Sequence, residues 1–172
     1  MPPEPPPAPE FDRRVGFHRM HLLGMAVVAL FPLLAVFGVF GVGSATTSTA
    51  SENVAATVRH PTVQRFKVRQ PLRITLRNIG ARTLPDVELT LTTPYVFSFA
   101  DVALTPGPER IDDETYVFTL SDVAPGESRT IAAEMQAQLY WRHDGKVSWS
   151  AFDESGQLLD SGSLGFATMV WP

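Results

Sequence analysis

The chain has 172 residues, a net charge of −4 and no cysteine. This length allows one domain of ordinary size plus a membrane segment. The mild charge argues against nucleic acid as a partner. The absence of cysteine excludes disulfides, thiolate catalysis and Cys-ligated metal sites.

Residues 1–21 form a proline-rich head that we place in the cytoplasm. Six prolines in the first ten positions remove backbone donors and favour extended polyproline II structure. This composition is typical of a disordered tail. A docking strip for a neighbouring protein is the alternative interpretation.

Residues 22–43, LLGMAVVALFPLLAVFGVFGVG, are predicted to form a transmembrane helix. At about 1.5 Å per residue the run spans roughly 33 Å, enough to cross the hydrocarbon core. A cleaved signal peptide is the alternative, but its apolar region is shorter, about 7–15 residues. Arg13, Arg14 and Arg19 precede the run, and the next Lys or Arg is Arg59. The positive-inside rule therefore predicts a cytoplasmic N-terminus and an extracytoplasmic C-terminal domain.

Small residues recur along this predicted span at Gly24, Ala35, Gly38 and Gly41. Small side chains let a second helix approach closely, so we expect a helix–helix contact there. Because glycine is also common in membrane helices generally, a helix without such a contact is the alternative. Pro32 lies mid-span and is expected to kink the helix.

Residues 44–53, SATTSTASEN, are small and polar, which predicts a short flexible linker. Beyond them, residues 54–172 show strand signals every ten or so residues, separated by turn residues. This pattern predicts an all-β domain, an antiparallel immunoglobulin-like β-sandwich of about seven to nine strands. The residues expected to point inward are Leu72, Ile74, Leu76, Val87, Leu89, Leu91, Val117 and Ile131.

Turns are predicted where Gly, Pro, Asn and Asp cluster. They are Gln70-Pro71, Asn78-Ile79-Gly80, Pro106-Gly107-Pro108, Pro125-Gly126, Asp144-Gly145 and Glu154-Ser155-Gly156. Asp144-Gly145 is predicted to be a hairpin tip bracketed by the aromatic residues Tyr140, Trp141 and Trp149.

The stretch LRITLRNIGARTLPDVELTLTTP, followed by YVFTLSDVAPGESRTIAAEM, resembles bacterial immunoglobulin-like modules of the CARDB type. The matching residues are Asn78, Gly80, Val87, Leu89, Leu120, Pro125, Gly126, Glu127, Ser128 and Thr130. The resemblance covers roughly residues 65–152 and implies a fold. Because such modules serve adhesion, scaffolding and enzyme accessory roles, it implies no single function.

Reactive constellations are missing from the sequence. His60 and His143 are far apart and match no metal motif, so both are expected to be exposed polar residues. Asp112, Asp113 and Glu114 lack the spacing of a calcium loop and are expected to form a solvated loop. No nucleophile elbow, P-loop or GxGxxG occurs. We therefore expect no catalytic, cofactor-binding or metal site, and no enzyme activity.

Two sets of residues are candidates for contacts with a partner or with lipid headgroups. The first is a basic section without an acid: Arg59, Arg65, Lys67, Arg69, Arg73, Arg77 and Arg82. It is expected to face headgroups or an acidic partner, or to be the solvated face of two strands. The second comprises the aromatic residues Tyr140, Trp141 and Trp171, a type enriched in protein contacts.

Together these features predict a non-catalytic accessory or scaffold subunit of a multi-subunit bacterial inner-membrane complex, such as a respiratory or photosynthetic one. It would be a single-pass protein with a periplasmic domain, contacting lipid and other integral membrane subunits without a cofactor. The alternative is a freestanding membrane-anchored binding module, periplasmic or at the cell surface, that recognises peptide or glycan.

Overall fold

The computed structural model describes residues 19–36 and 43–172. They belong to two compact units, a helical one and a β domain, which are treated separately. The elements in chain order are α1 (Arg19–Val36), β1 (Gly43–Ala50), β2 (Val54–Arg65), β3 (Arg69–Asn78), β4 (Leu84–Thr92), α2 (Thr93–Phe97), β5 (Phe99–Thr105), β6 (Arg110–Ile111), β7 (Thr115–Val123), β8 (Ser128–Ala137), β9 (Trp141–Phe152) and β10 (Leu158–Trp171).

Helix α1 covers the first part of the predicted span and continues through Pro32. Among the described residues, no helix is both long enough and apolar enough to cross a membrane. Residues 37–42, the later part of the predicted span, lie outside the described residues, as do residues 1–18 of the predicted head.

The β domain is a sheet of ten strands that curls into two facing halves. The strand order is β5-β8-β3-β2-β10-β9-β4-β7-β6, and β1 pairs with β2 as a third neighbour of that strand. All ladders are antiparallel except the short one that joins Val63–Arg65 of β2 to Met169–Trp171 of β10. Nine of these strands lie within residues 54–172. The predicted immunoglobulin-like β-sandwich is therefore confirmed.

One hydrophobic core lies between the two halves. Leu72, Ile74 and Leu76 of β3 enter it from one side, and Val147 and Trp149 of β9 from the other. Seven of the eight residues predicted to point inward belong to this core, with exposed fractions of 1% or less. The prediction for Val117 was wrong: it is buried, but it is opposite Thr90 on the other face of β7, where Phe118 is the inward residue. Complete burial of such a side chain contributes about 1.5–3 kcal/mol, so this period-two pattern determines which face of each strand turns inward.

The segment predicted as a flexible linker is largely a strand. β1 pairs antiparallel with β2, from Ala50 opposite Ala55 to Gly43 opposite Val63. Its residues alternate between half-buried and exposed. They are too small to show that alternation as a hydrophobic pattern, but β-branched threonine fits a pleated strand well. The linker prediction was therefore wrong over residues 44–50, and Gly43, the last residue of the predicted span, is also in this strand.

Two predicted turns were also wrong. Gln70 and Pro71 lie inside β3, where Pro71 is opposite Glu134. Asp144 and Gly145 lie inside β9, so they form no hairpin tip. Gly145 is opposite Phe166, whose ring lies 2.5 Å from the place where a Cβ would stand. This glycine therefore makes room for a ring rather than a turn.

The strands end in two groups of connections at opposite ends of the domain. We call the first group the Gly43 end: Gly43, the β2–β3 turn at 66–68, the β8–β9 loop at 138–140, and Trp171. We call the second group the opposite end: the connections at 51–53, 79–83, 124–127 and 153–157.

Asn78, a residue of the CARDB-like motif, holds the opposite end together. Its side-chain amide is buried and donates to the carbonyl oxygens of Arg82 and Val123, each at 2.8 Å. Its side-chain oxygen accepts from the backbone N–H of Gly80 at 2.9 Å. Gly126 adopts a positive φ of 79° and donates to the Asn78 carbonyl. These motif residues are therefore structural, which explains why the resemblance predicts a fold and no activity.

Candidate functional site

Aromatic and aliphatic side chains are exposed together at the Gly43 end. Trp141 is 73% exposed, Trp171 54%, Leu139 52% and Tyr140 42%. Val170, the neighbour of Trp171 in the chain, is directly opposite Trp141 in the β9–β10 ladder. The Tyr140 ring packs on Phe66 with centroids 4.5 Å apart. We call Phe66, Leu139, Tyr140, Trp141 and Trp171 the aromatic corner.

The backbone of the β2–β3 turn builds this corner. The N–H of Phe66 donates to the carbonyl of Trp171 at 2.8 Å, and that of Lys67 donates to the carbonyl of Ala137 at 2.9 Å. The Lys67 ammonium group lies 5.5 Å from the Phe66 ring centroid, within the range of a cation–π interaction. The turn therefore joins the ends of β8 and β10 and places a cation among the rings.

Trp141 in the corner and Lys67 beside it have a left-handed backbone, with φ values of 82° and 60°. This region is unfavourable for residues with a Cβ and favours glycine. Trp141 thus combines a strained backbone with a ring that buries little surface within the domain. Such strain is often found at functional positions.

A buried chain of hydrogen bonds lies in the core behind the corner. The Tyr95 hydroxyl donates to Thr168 Oγ1 at 3.0 Å, and Thr168 donates to the Pro61 carbonyl at 2.8 Å. His60 Nδ1 donates to the same carbonyl at 3.2 Å, and its Nε2 lies 3.3 Å from Thr47 Oγ1. Burial raises the pKa of Tyr95 to about 12, against a smaller lowering by its hydrogen bond with Thr168.

The prediction that His60 is an exposed polar residue was wrong, because only 4% of it is exposed. It lies on β2 next to β1, and its ring faces Phe166 with centroids 5.1 Å apart. This burial depends on β1, the strand next to His60, whose small polar residues are typical of a linker.

A basic surface lies on the outer face of β2 and β3. Arg59 is directly opposite Arg73 in the antiparallel ladder, and both are exposed. Together with Ser44 and Gln70 they line a shallow cavity of about 270 Å³. Arg77 lies further along the same face of β3. Among the described residues, no acid forms an ion pair with Arg59, Arg73 or Arg77.

The other predicted basic residues lie elsewhere or are paired. Arg65 and Lys67 lie at the Gly43 end. Arg69 is on the same face of β3 as Arg73, near the Gly43 end, but it forms an ion pair with Asp101 at 3.1 Å. Arg82 is exposed in the β3–β4 connection at the opposite end. The basic section, continuous in sequence, is therefore divided among three places in the fold.

The aromatic prediction is divided as well. Tyr140, Trp141 and Trp171 lie together in the aromatic corner, whereas Trp149 is buried in the core at 2% exposure. Trp149 faces Gly162 across the β9–β10 ladder, at a place where a Cβ on Gly162 would overlap the indole ring. The tryptophans were predicted to lie around a hairpin tip at Asp144-Gly145, but these two residues lie inside β9.

The small residues predicted to contact another helix lie only partly in the described chain. Gly24 and Ala35 lie in α1, and open space surrounds the position of a Cβ on Gly24. Gly38 and Gly41 lie outside the described residues. Their helix–helix contact stays a prediction.

The polar residues considered for chemistry remain dispersed in the structure. Asp112, Asp113 and Glu114 are exposed, and Asp112 forms an ion pair with Arg110 at 3.0 Å. His143 Nε2 lies 3.0 Å from the Leu139 carbonyl. Over residues 19–36 and 43–172, no group of three or more His, Cys, Asp or Glu is arranged to hold a metal ion.

Two members of the corner were missing from the predicted contact residues. Phe66 and Leu139 lie in connections that contain no Gly, Pro, Asn or Asp, so no turn residue marks them as loop positions. The run Gln138-Leu139-Tyr140-Trp141 contains three consecutive large apolar residues, and only two can be inward on one strand. That excess was a usable signal of exposure.

Comparisons with known proteins concern the fold. No protein-family model and no curated protein match the chain. Among solved structures, a CARDB domain from Pyrococcus furiosus in complex with di-metal ions is 14% identical with a TM-score of 0.42. The match covers 71% of this chain and 97% of that domain. The chain thus resembles a CARDB domain at the level of fold, as its motif residues predicted.

Other similar structures come from unrelated contexts. The alpha-2-macroglobulin of E. coli is 16% identical with a TM-score of 0.41, over 71% of this chain and 7% of that one. The bacterial hydrophobin BslA is 10% identical with a TM-score of 0.40, over 76% of this chain and all of BslA. At these values the likeness carries no argument about function.

Proposed function

We propose that the chain is a non-catalytic accessory subunit of a multi-subunit bacterial inner-membrane complex. In this proposal the apolar run 22–43 anchors the chain, the head lies in the cytoplasm, and the β domain contacts a partner subunit in the periplasm. The proposal is supported by the apolar run, by the asymmetry of the basic residues around it, and by one surface of the domain.

That surface contains Arg59 of β2 and Arg73 of β3. Their arrangement is the main support for the proposal. Like charges directly opposite each other in a ladder destabilise a sheet. Arg59 and Arg73 are in this arrangement and pair with no acid of the described residues. An acidic partner surface would relieve the repulsion and form charge-assisted hydrogen bonds with both guanidinium groups.

The experiment is gentle detergent extraction of native membranes, followed by measurement of the size of the particle that contains this chain. We expect a particle much larger than the monomer, and expect it to dissociate partly as salt increases. Arg73→Glu should weaken co-purification of the partner by about tenfold, the loss expected for one charged contact. Arg82→Glu, the same charge change at an exposed arginine of the opposite end that is likewise in no ion pair with the described residues, is the matched control.

A freestanding binding module is the second candidate, favoured by the exposed rings of Tyr140, Trp141 and Trp171. Such rings can stack on a glycan or pack on a peptide. A lone monomer in mild detergent, unaffected by Arg73→Glu, would favour this module over the accessory subunit.

A further inference from the structure

Strand β1 begins at Gly43, at the end of the β domain that carries the aromatic corner. Gly43 is both the last residue of the predicted membrane span and the first residue of β1. The residues that follow it are hydrogen-bonded into the sheet as β1 rather than forming a flexible linker. From Gly43 to Ala50 the chain is therefore a paired strand and not a flexible linker.

The aromatic corner lies at the same end of the domain as Gly43. Gly43 is opposite Val63 in β2, and Met169 of β10 is opposite the same residue. Trp171 follows Met169 by two residues and is opposite Arg65, and Trp141 is opposite the intervening Val170. At about 3.3 Å per residue, these positions lie within roughly 10 Å of Gly43 along the strand direction.

The composition of the corner matches the boundary between headgroups and acyl chains. Tryptophan and tyrosine are enriched there because their rings are apolar at one end and polar at the other. An exposed leucine beside them adds apolar surface that has no cover within the domain. Lys67 can extend its ammonium group to a lipid phosphate while its stem lies along the rings.

The charges around the corner are suited to contact with an anionic surface. Arg65, Lys67 and Arg69 lie beside the corner. The nearby acids Asp101 and Asp144 form ion pairs with Arg69 and Arg142. The acidic residues 112–114 lie near the same end but next to β6 and β7, at the other edge of the sheet.

We propose that the aromatic corner is a membrane-docking surface. Its rings and Leu139 enter the interface of an anionic bilayer, and Lys67 contacts lipid phosphate. This inference rests on the membrane anchor of the proposed function and adds that the β domain lies directly on the bilayer. The docked corner fixes the orientation of the domain, and so determines the height at which the Arg59–Arg73 surface meets its partner.

The test uses the natural absence of cysteine to attach a single spin label to the full chain. Leu139→Cys carries the label at the corner, and Leu158→Cys carries it at the opposite end. The two leucines are 52% and 53% exposed, so the pair is matched in residue type and exposure. Each variant is reconstituted into vesicles of three parts phosphatidylcholine to one part phosphatidylglycerol. Power-saturation spectroscopy then compares collisions of the label with apolar oxygen and with a water-soluble nickel chelate.

We expect the oxygen-to-nickel ratio at position 139 to exceed that at position 158 severalfold, and Lys67→Glu to reduce the difference. If the chain floats with the vesicles but both labels are equally accessible to nickel, docking is wrong while the anchor stands. If the label at 139 is shielded from both reagents, a protein contact such as a second copy occupies the corner, and lipid docking is wrong. Failure of the chain to float with vesicles would overturn the anchor and the docking together.

Discussion

The two ends of the β domain differ in which groups bond to the backbone of their connections and in which side chains they expose. At the opposite end, side chains satisfy the backbone of the connections: Asn78 holds the β3–β4 and β7–β8 connections, and Asp160 accepts from Ser51, Asn53 and Val54. At the Gly43 end, the buried Gln64 amide donates to the Val68 and Met135 carbonyls, and the backbone of the β2–β3 turn bonds to the ends of β8 and β10. This end differs because the connections there also expose large apolar side chains.

This difference also explains which turns could be predicted. The predictions at Asn78-Ile79-Gly80, Pro125-Gly126 and Glu154-Ser155-Gly156 all fall in connections of the opposite end. The two wrong ones, Gln70-Pro71 and Asp144-Gly145, fall in strand segments near the Gly43 end. Turn residues follow local rules, so a connection that satisfies itself locally is visible in sequence.

The connections at the Gly43 end, residues 66–68 and 138–140, contain no Gly, Pro, Asn or Asp. The β2–β3 turn bonds to residues 137 and 171, and a sequence window contains neither partner. Lys67 and Trp141 adopt left-handed backbone conformations, in which glycine or asparagine is the usual residue. Departures from local consistency are expected mainly at functional or strained positions. The two wrong turn predictions near this end therefore agree with the docking role that we infer for the aromatic corner.

The fold and core were predictable because period-two burial is strong in the large apolar residues, as in Leu72, Ile74 and Leu76. The basic surface on β2 and β3 could not be predicted from the sequence. The arginines spread over three places because strands alternate and turns reverse the chain, and neither the register nor β1 was available from sequence. Arg59 and Arg73 became neighbours only through the β2–β3 register.

The largest expected effect is at the opposite end, where Asn78→Ala removes a buried amide. Two backbone carbonyls and one N–H lose their partner, so we expect the free energy of unfolding to fall by about 4 kcal/mol. Denaturant unfolding followed by circular dichroism measures this loss. Gln70→Ala, near the other end of the same strand, is the control and should change stability by less than about 0.5 kcal/mol. Equal losses in the two variants would remove the contrast between the ends.

A smaller effect is expected from the buried Tyr95 behind the corner. Its folded-state pKa of about 12 lies above the ordinary value of 10.0, so the folded chain holds the phenol proton more tightly. Its contribution is therefore complete below pH 10 and is lost as pH rises towards 12. We expect a loss of about 2 kcal/mol by pH 12, measured by denaturant unfolding across that range. Tyr95→Phe should lack this component, and an unchanged pH profile in that variant would contradict the assignment.

The smallest expected effect on stability is at the corner itself, with Trp141→Gly. The ring is 73% exposed, so its loss removes little buried surface, and glycine accepts the φ of 82° without the steric cost that a Cβ imposes. The relief of strain and the greater freedom of glycine in the unfolded chain nearly offset each other, so we expect a change within about 1 kcal/mol. Trp141→Ala keeps the Cβ and should be slightly less stable than the glycine variant. Both should lower the oxygen-to-nickel ratio of a label at position 139 in vesicles. A loss of several kcal/mol in the glycine variant would instead show that Trp141 supports the fold, and the two ends would then not differ in the way inferred.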